Sequence, residues 1–240
     1  MLSYEQVKRQ PRRFLALTGL TLREFKSVLP AFIRAYETRY PVDRTLAGKT
    51  RQRQPGGGRP AVLPTPEAQL LFILVYQKTY PLQVVQGELF GFSQAQANYW
   101  IHRLLPVLQA ALDDLGFTPE REGAQVARRE RRKPERRDWI IDGTERRRQR
   151  PKNAEKQAQH YSMRKKAHTD KNVVIATRST QRVVFLSATQ IGKTSDKKIA
   201  DEAHLSYPRG TRLRQDLGLE GYRPKGVRTY MPKKSRPSAN

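Results

Sequence analysis

The sequence contains no cysteine among its 240 residues. Disulfide bonds, cysteine-ligated zinc sites and thiol catalysis are therefore excluded. Long apolar runs are also lacking, because the longest, Leu70 to Tyr76, is far too short to span a bilayer. The first ten residues have no apolar core of the kind found in signal peptides. Together these absences predict a cytoplasmic protein with no membrane partner.

Acidic side chains are scarce relative to basic ones. The chain carries 22 Asp and Glu against 47 Lys and Arg, which gives a net charge of +25. Such a chain repels itself unless a polyanion neutralises it, so the charge predicts a nucleic-acid partner. A ribosome-associated protein and a merely soluble basic protein share this property. Hydrophobic residues make up 37% of the chain, which is enough for two folded parts separated by polar segments.

The first 120 residues have the apolar spacing of helices. Over residues 3–40, apolar side chains recur at three- and four-residue steps, and Thr21 with Glu24 forms the pattern of a capping box. Residues 41–64 are rich in glycine, proline and arginine, which indicates either a basic arm along DNA or a plain linker. A helix is predicted to begin at Pro66 and to stop before Pro81.

Residues 82–108 have the outline of a helix-turn-helix motif. Gly91 marks a tight turn, Ser93 is a candidate helix cap, and an apolar stripe follows on the second helix. In this interpretation, polar residues near the start of that helix contact bases or phosphates. The alternative is two packed helices of a small bundle. The predicted DNA-binding residues of this motif are Gln94, Gln96, Asn98, Tyr99 and Arg103.

The second half of the chain begins with a basic segment, 121–137, that predicts a linker, and then becomes strand-like over 138–240. Two strands end in an aspartate followed by a turn, at Asp142-Gly143 and at Asp216. The predicted elements in order are a strand over 139–141, strands over 172–177 and 182–188, a helix over 195–204, and strands over 211–215 and 227–231.

This order of strands and helix is that of a ribonuclease-H-like fold. In that fold the acids that end the first and fourth strands lie side by side. Two converging carboxylates repel each other unless divalent cations bridge them, and Mg²⁺ or Mn²⁺ prefers such oxygen ligands. A two-ion site supports phosphodiester chemistry. The predicted fold class is therefore α+β: an all-α helix-turn-helix domain over 1–120, then an incomplete ribonuclease-H-like α/β domain over 138–240.

Several motifs together resemble one family. DGTERRRQRP, HYSMRKKAHTDKN, SDKKIADE and LRQDLGLEGY are similar to segments of DDE-type transposases of the IS-five group of bacterial insertion sequences. The resemblance implies that Asp142 and Asp216 are the first and second catalytic and metal-binding acids. Family members usually place a third acid, a Glu, on a later helix, and Glu220 is too close to Asp216 to fill that place. Where the family often has His, this chain has Ser195, which leaves the role of Asp196 open.

A basic cluster precedes the second predicted strand. In one interpretation its cations hold DNA phosphates near the acids; in the other it is a solvated run of charge. Glu145 and Arg146, directly after the first acid, are expected to form structural pairs. The predicted DNA-binding residues of the cluster are Arg164, Lys165, Lys166, His168 and Lys171, beside Tyr161.

The resemblance implies a transposase that binds transposon-end double-stranded DNA in the bacterial nucleoid, cuts it with metal ions and acts as a homo-oligomer. Because the third acid is not reached, we expect DNA binding without efficient strand transfer from this chain alone. A frameshift-encoded carboxy-terminal extension, a decayed element and a partial sequence all explain that. The alternative function is an inactive DNA-binding fragment acting as a repressor or inhibitor. A generic RNA-binding protein leaves the strand-end acids unexplained.

Overall fold

The computed structural model describes residues 1–45, 48–52, 61–130 and 137–232. The chain divides into two compact units, residues 1–117 and residues 118–240. Helices make up the first unit and a sheet with short helices makes up the second, in agreement with the predicted α+β class. Among the described residues, no helix has both the length and the apolar character needed to cross a membrane.

In its described residues, the first unit packs six helices around a buried aromatic and aliphatic core. The capping box predicted for α3 is confirmed, because the Thr21 hydroxyl accepts from the Glu24 amide while the Glu24 carboxylate accepts from the Thr21 amide. Helix α4 begins at Pro66 as predicted, and its residues from Leu70 to Val75 are all buried. The helices are α1 (Tyr4–Val7), α2 (Pro11–Thr18), α3 (Leu22–Arg39), α4 (Pro66–Thr79), α5 (Gln83–Phe90) and α6 (Gln94–Asp114).

The predicted helix-turn-helix is present as α5 and α6. Gly91 adopts a φ of 78° and ends α5, and Ser93 caps α6 in a capping box with Gln96. The apolar stripe of α6 is buried, with Leu105 at its half-buried edge. Helix α6 runs to Asp114, well beyond the predicted end, because its later turns pack onto α3 and α4.

Part of the predicted basic arm is ordered. Arg44 and Thr50 form an isolated antiparallel bridge, and the Thr45 amide donates to the Lys49 carbonyl. Residues 46–47 and 53–60 lie outside the described residues, as do 131–136 and 233–240.

Residues 121–130 belong to the second unit, so the predicted linker over 121–137 is wrong for that stretch. A 3-10 helix, Gly123–Gln125, leads into α7 (Val126–Glu130). Val126 is fully buried, and Glu120 exchanges backbone hydrogen bonds with Val184 and Leu186. Val126 is thus the buried apolar residue of a segment whose sequence is otherwise dominated by charge.

The second unit is built on a seven-stranded sheet in the described residues. The order is β2-β3-β1-β6-β7, with β4 and β5 also paired to β3. Strand β1 is antiparallel to β3 and parallel to β6, and β6 is parallel to β7. The elements are β1 (Asp138–Arg147), α8 (Ala154–His160), β2 (Tyr161–Ser162), β3 (Ala167–Thr177), β4 (Val183–Leu186), β5 (Gln190–Ile191), α9 (Asp196–Glu202), β6 (Arg212–Gln215) and β7 (Arg228–Tyr230).

The predicted end of the first strand at Asp142 is wrong. Strand β1 continues to Arg147, which pairs with Thr169, so β3 is also longer than predicted. Only the parallel ladder between β1 and β6 stops near the acid, at Ile141 and Gln215. The other predicted strands and the helix are confirmed to within a few residues, whereas α8, β2 and β5 were not predicted.

We predict that Gly87→Ala weakens the first unit. A Cβ at position 87 would overlap the carbonyl oxygen of Phe92, which is backbone and cannot swing aside. Forced overpacking of this kind costs about 2 kcal/mol of unfolding free energy. Chemical denaturation followed by the helical signal measures it. Glu88→Ala, an exposed substitution on the same helix, should change stability by less than about 0.5 kcal/mol; equal effects of the two variants would contradict the steric explanation.

Candidate functional site

Asp142 and Asp216 lie on neighbouring parallel strands. Each directly follows the last paired residue of the β1–β6 ladder, where Ile141 lies opposite Gln215. Adjacent strands are about 4.8 Å apart, so the two carboxylates leave the sheet at the same place. The sequence prediction that these two acids come together is in accord with this register.

The pKa of Asp142 is raised above its ordinary value. Burial is the largest cause, and the negative charges of Asp216 and Asp196 add to it. A hydrogen bond from the Gly143 amide and the positive charge of Arg164 act in the opposite direction. The site therefore concentrates negative charge that a cation would relieve.

Asp216 is held by its own turn. It precedes a 3-10 helix, Leu217–Leu219, and its Oδ1 accepts a hydrogen bond of 3.0 Å from the Gly218 amide. This local bond fixes one carboxylate oxygen and leaves the other for a ligand. The turn predicted after Asp216 is thus present and has an orienting effect.

Asp196 is the third acid at this place, and the sequence left its role open. It is the first residue of α9, after Ser195, whose hydroxyl caps the helix by accepting from the Lys198 amide. The residue is only 8% exposed. Its carboxylate packs against Gly143 so closely that a Cβ there would overlap it, and a Cβ at Gly218 would lie 3.0 Å from its Oδ2.

Gly143 therefore serves close approach and not the sharp turn that the sequence predicted. It lies within β1, opposite Val173. Its missing side chain makes room for the Asp196 carboxylate. An acid at the start of a short helix together with glycines beside two other acids was the available sequence signal, but only the fold brings these positions together.

One oxygen of Asp196 lacks a hydrogen bond. Its Oδ1 is buried without a hydrogen-bond partner, although the Lys171 Nζ lies 3.4 Å away as an ion pair. Buried charged oxygens usually have full complements of partners, and an orphan commonly indicates an absent ligand. Lys171 thus lies among carboxylates, and its side chain is only 14% exposed.

The donors at this site suit a hard divalent cation. Carboxylate oxygens are the ligands that Mg²⁺ and Mn²⁺ prefer. In the part of the chain that the structure describes, however, no group of three or more His, Asp or Glu side chains is arranged to hold a metal ion. The residues present therefore fit a two-carboxylate site at Asp142 and Asp216 that needs further ligands to be complete.

Glu145 and Arg146 form structural pairs, as expected. Burial raises the pKa of Glu145, but hydrogen bonds from Ser162 and Thr169 and nearby lysines outweigh it, so the pKa is lowered overall. The Thr169 hydroxyl donates to Glu145 at 2.6 Å. Arg146 donates to Asn172 Oδ1 at 3.0 Å.

The basic cluster is divided by the fold. Arg164, Lys165 and Lys166 are exposed in the turn between β2 and β3, and the charge of Arg164 reaches Asp142. His168 packs edge-to-face on Tyr161, with ring centroids 5.6 Å apart. The turn therefore provides an exposed cationic surface, of which Arg164 lies within electrostatic reach of Asp142.

The helix-turn-helix residues also differ in their surroundings. Gln94 is exposed and its side chain forms no hydrogen bond within the described residues, whereas Gln96 is committed to the capping box with Ser93. The Asn98 amide donates to Gln83 Oε1 at 3.1 Å, which ties α6 to α5. Gln94 and Asn98 are thus the amide side chains on the open face at the start of α6.

We predict that Asp142→Asn stabilises the metal-free chain at neutral pH. Because the folded pKa of Asp142 is raised, its ionisation weakens the folded state, and this loss develops as the pH rises through the folded pKa. The gain at pH 7 should be about 0.5 kcal/mol, a small value because Asp142 is only partly shielded, so that solvent still screens its charge. It should disappear as the pH falls towards the ordinary carboxyl pKa of 3.8.

Denaturation at several pH values in chelator-treated buffer measures this difference. Asp201→Asn is the matched control, because Asp201 is exposed on α9 and pairs with Lys197. A loss of stability for Asp142→Asn at pH 7 would contradict the repulsion.

Comparisons with known families agree with this geometry. Residues 141–236 match the family model described as DDE superfamily endonuclease, and residues 62–114 match the model described as Helix-turn-helix of DDE superfamily endonuclease. The first match contains Asp142 and Asp216, and the second contains α5 and α6. Comparison with curated proteins and with solved structures gave no match. The helix-turn-helix match followed by the endonuclease match along one chain supports a DDE-type transposase.

Proposed function

We propose that this protein is a transposase that binds transposon-end DNA and performs metal-dependent cleavage and strand transfer at Asp142 and Asp216. The observation that carries the proposal is the parallel pairing of β1 with β6, after which both acids follow directly. Two carboxylates that lie side by side just beyond the β1–β6 ladder suit phosphodiester chemistry. The closer assignment to the IS-five group rests on the sequence motifs.

The sheet order supports a ribonuclease-H-like catalytic unit. Strand β1 lies centrally, with antiparallel β3 on one side and parallel β6 and β7 on the other. Helix α9 comes between β5 and β6 in the chain. This arrangement agrees with the predicted first and fourth strands as the carriers of the acids.

Asp142 and Asp216 would hold the metal, which we propose is Mg²⁺ or Mn²⁺; DDE superfamily endonucleases generally use divalent ions. When bound, such ions activate a water or 3′-hydroxyl and stabilise the leaving oxygen. The chain's own residues prepare the site. The Gly218 amide orients Asp216, and we assign contact with a DNA phosphate to the exposed Arg164, whose positive charge acts on Asp142.

Asp196 acts through its position in this proposal. Its carboxylate forms an ion pair with Lys171, whose ammonium offsets part of the negative charge that Asp196 brings to the site. Removing Asp196 would leave the largely shielded Lys171 without its ion-pair partner and release the packing against Gly143. We assign it a positioning role.

The alternative is a DNA-binding chain that is catalytically inactive and acts as a repressor or inhibitor of full-length enzyme. It is favoured by the absence of a three-ligand metal group within the described residues. The two candidates share the DNA-binding unit and differ only in chemistry.

We predict that nicking of supercoiled plasmid by this chain is weak, because its two-carboxylate site needs further ligands, and that it requires Mg²⁺ or Mn²⁺. It should fall by about a hundredfold or to background in Asp142→Asn and in Asp216→Asn, because each removes a metal ligand. Gel analysis of plasmid forms measures it, with Asp201→Asn as the control that should nick like the wild type. Wild-type chain that binds DNA but does not nick it under any divalent ion would instead favour the inactive alternative.

We predict that Gln94→Ala weakens binding to a duplex selected from a randomised pool by about tenfold, the value of one base contact. It should leave stability unchanged, since Gln94 is exposed. Gln96→Ala should do the opposite, lowering stability by about 0.5 kcal/mol through the capping box while keeping most of the affinity. Fluorescence anisotropy and thermal unfolding separate the two; equal affinities of Gln94→Ala and wild type would argue against base contact there.

A further inference from the structure

A cleft lined by arginines and tyrosines lies within the first unit, whereas the acids belong to the second unit. It is formed by the end of α3, the segment that follows it and the α6 residues Tyr99 and Arg103, and has a volume of about 540 Å³. No described acidic side chain lines it. Nothing in the proposed cleavage reaction uses this cleft.

Arg103 is held rigidly in the cleft by three tyrosines. Its guanidinium carbon lies 3.7 Å from the ring centre of Tyr40. Its Nε donates to the Tyr36 hydroxyl at 3.1 Å, and one terminal nitrogen donates to the Tyr99 hydroxyl at 3.2 Å. The Tyr40 hydroxyl in turn donates to the Arg103 carbonyl. The side chain has therefore lost most of its conformational freedom before any ligand arrives.

Most of the positive charge of the cleft is not neutralised, because of its four arginines only Arg44 pairs with a carboxylate among the described residues, that of Asp43 at 3.9 Å. Among the described residues, no carboxylate forms an ion pair with Arg39, Arg51 or Arg103. The tyrosines accept two of the five N–H groups of the Arg103 guanidinium and leave three for another acceptor. A fixed planar guanidinium with free N–H groups matches phosphate oxygens, which it binds in a bidentate manner.

The cleft also has an available aromatic face. Tyr99 is 54% exposed even though its hydroxyl is engaged by Arg103. Contacts to phosphates alone need only cations, as on a duplex backbone. An exposed ring beside a phosphate-binding arginine is instead the combination that binds unpaired nucleotides, whose bases are free to stack.

We propose that this cleft binds one unpaired nucleotide of a DNA strand, with its phosphate on Arg103 and its base stacked on Tyr99. Arg39 and Arg51 supply additional charge for the neighbouring phosphates. The inference rests on the proposed DNA-binding function and extends it to the separated strands of a DNA end. It assigns Tyr99 and Arg103 to the single strand, leaving Gln94 and Asn98 for the duplex.

Titrations of the full chain with two labelled probes test the cleft. The probes are an oligothymidylate of about ten nucleotides and a duplex of equal length, both measured at one fixed salt concentration. Tyr99→Ala and Arg103→Lys should each weaken oligothymidylate binding about tenfold, the cost of one lost stacking or bidentate contact. Their duplex affinities should stay within about twofold of the wild type.

The variants carry their own controls. Arg103→Lys keeps the charge and removes only the planar fork, and Tyr99→Ala alters an exposed ring, so folding survives in at least the second; thermal unfolding checks both. Arg23→Ala removes a charge at the opposite end of α3, where Arg23 is exposed, and should weaken both probes by the same small factor.

Two results would overturn the proposal for this cleft. One is an equal loss of affinity for both probes, which would make the cleft a site for duplex phosphates; the other is no loss of oligothymidylate affinity in Tyr99→Ala. If the wild-type chain binds the duplex but Tyr99→Ala binds oligothymidylate as tightly as the wild type does, only the cleft proposal is rejected and the proposed DNA binding stands. Wild-type chain that binds neither probe overturns the proposed DNA binding as well.

Discussion

Repulsion among three carboxylates beside the end of the parallel β1–β6 ladder is the constraint around which the second unit is arranged. Asp142 and Asp216 come together because β1 and β6 run parallel, and Asp196 reaches them because position 143 has no side chain. Such a cluster costs free energy in the metal-free protein. Two contacts reduce that cost: Lys171 forms an ion pair with Asp196, and the Gly218 amide donates a hydrogen bond to Asp216. The paired strands thus hold the carboxylates in place against their mutual repulsion.

Local signals in the sequence predicted much of this architecture. The capping residues Thr21 and Ser93 and the turn at Gly91 act over a few residues, so their effect can be read without knowing the fold. The strand-end position of Asp216 was predicted for the same reason. These features predicted the helix-turn-helix and the strand end at Asp216, whereas the strand end predicted at Asp142 is wrong.

Features that depend on distant partners could not be predicted. Strand β1 extends beyond its apolar residues because β3 continues to pair with it as far as Thr169. Residues 121–130 read as a charged linker, yet Val126 is buried and Glu120 bonds to β4. Asp196 joins the site only through the packing of α9 on the sheet. In each case one tertiary contact outweighed the local composition.

The close fit between Gly143 and Asp196 limits which substitutions the site can accept during evolution. Any side chain at position 143 would displace the buried acid, so this position tolerates no replacement even though glycine contributes no chemical group. An inventory of reactive residues would overlook it. In related sequences that keep all three acids, we expect position 143 to be as invariant as the acids themselves, and a lost glycine to accompany a lost Asp196.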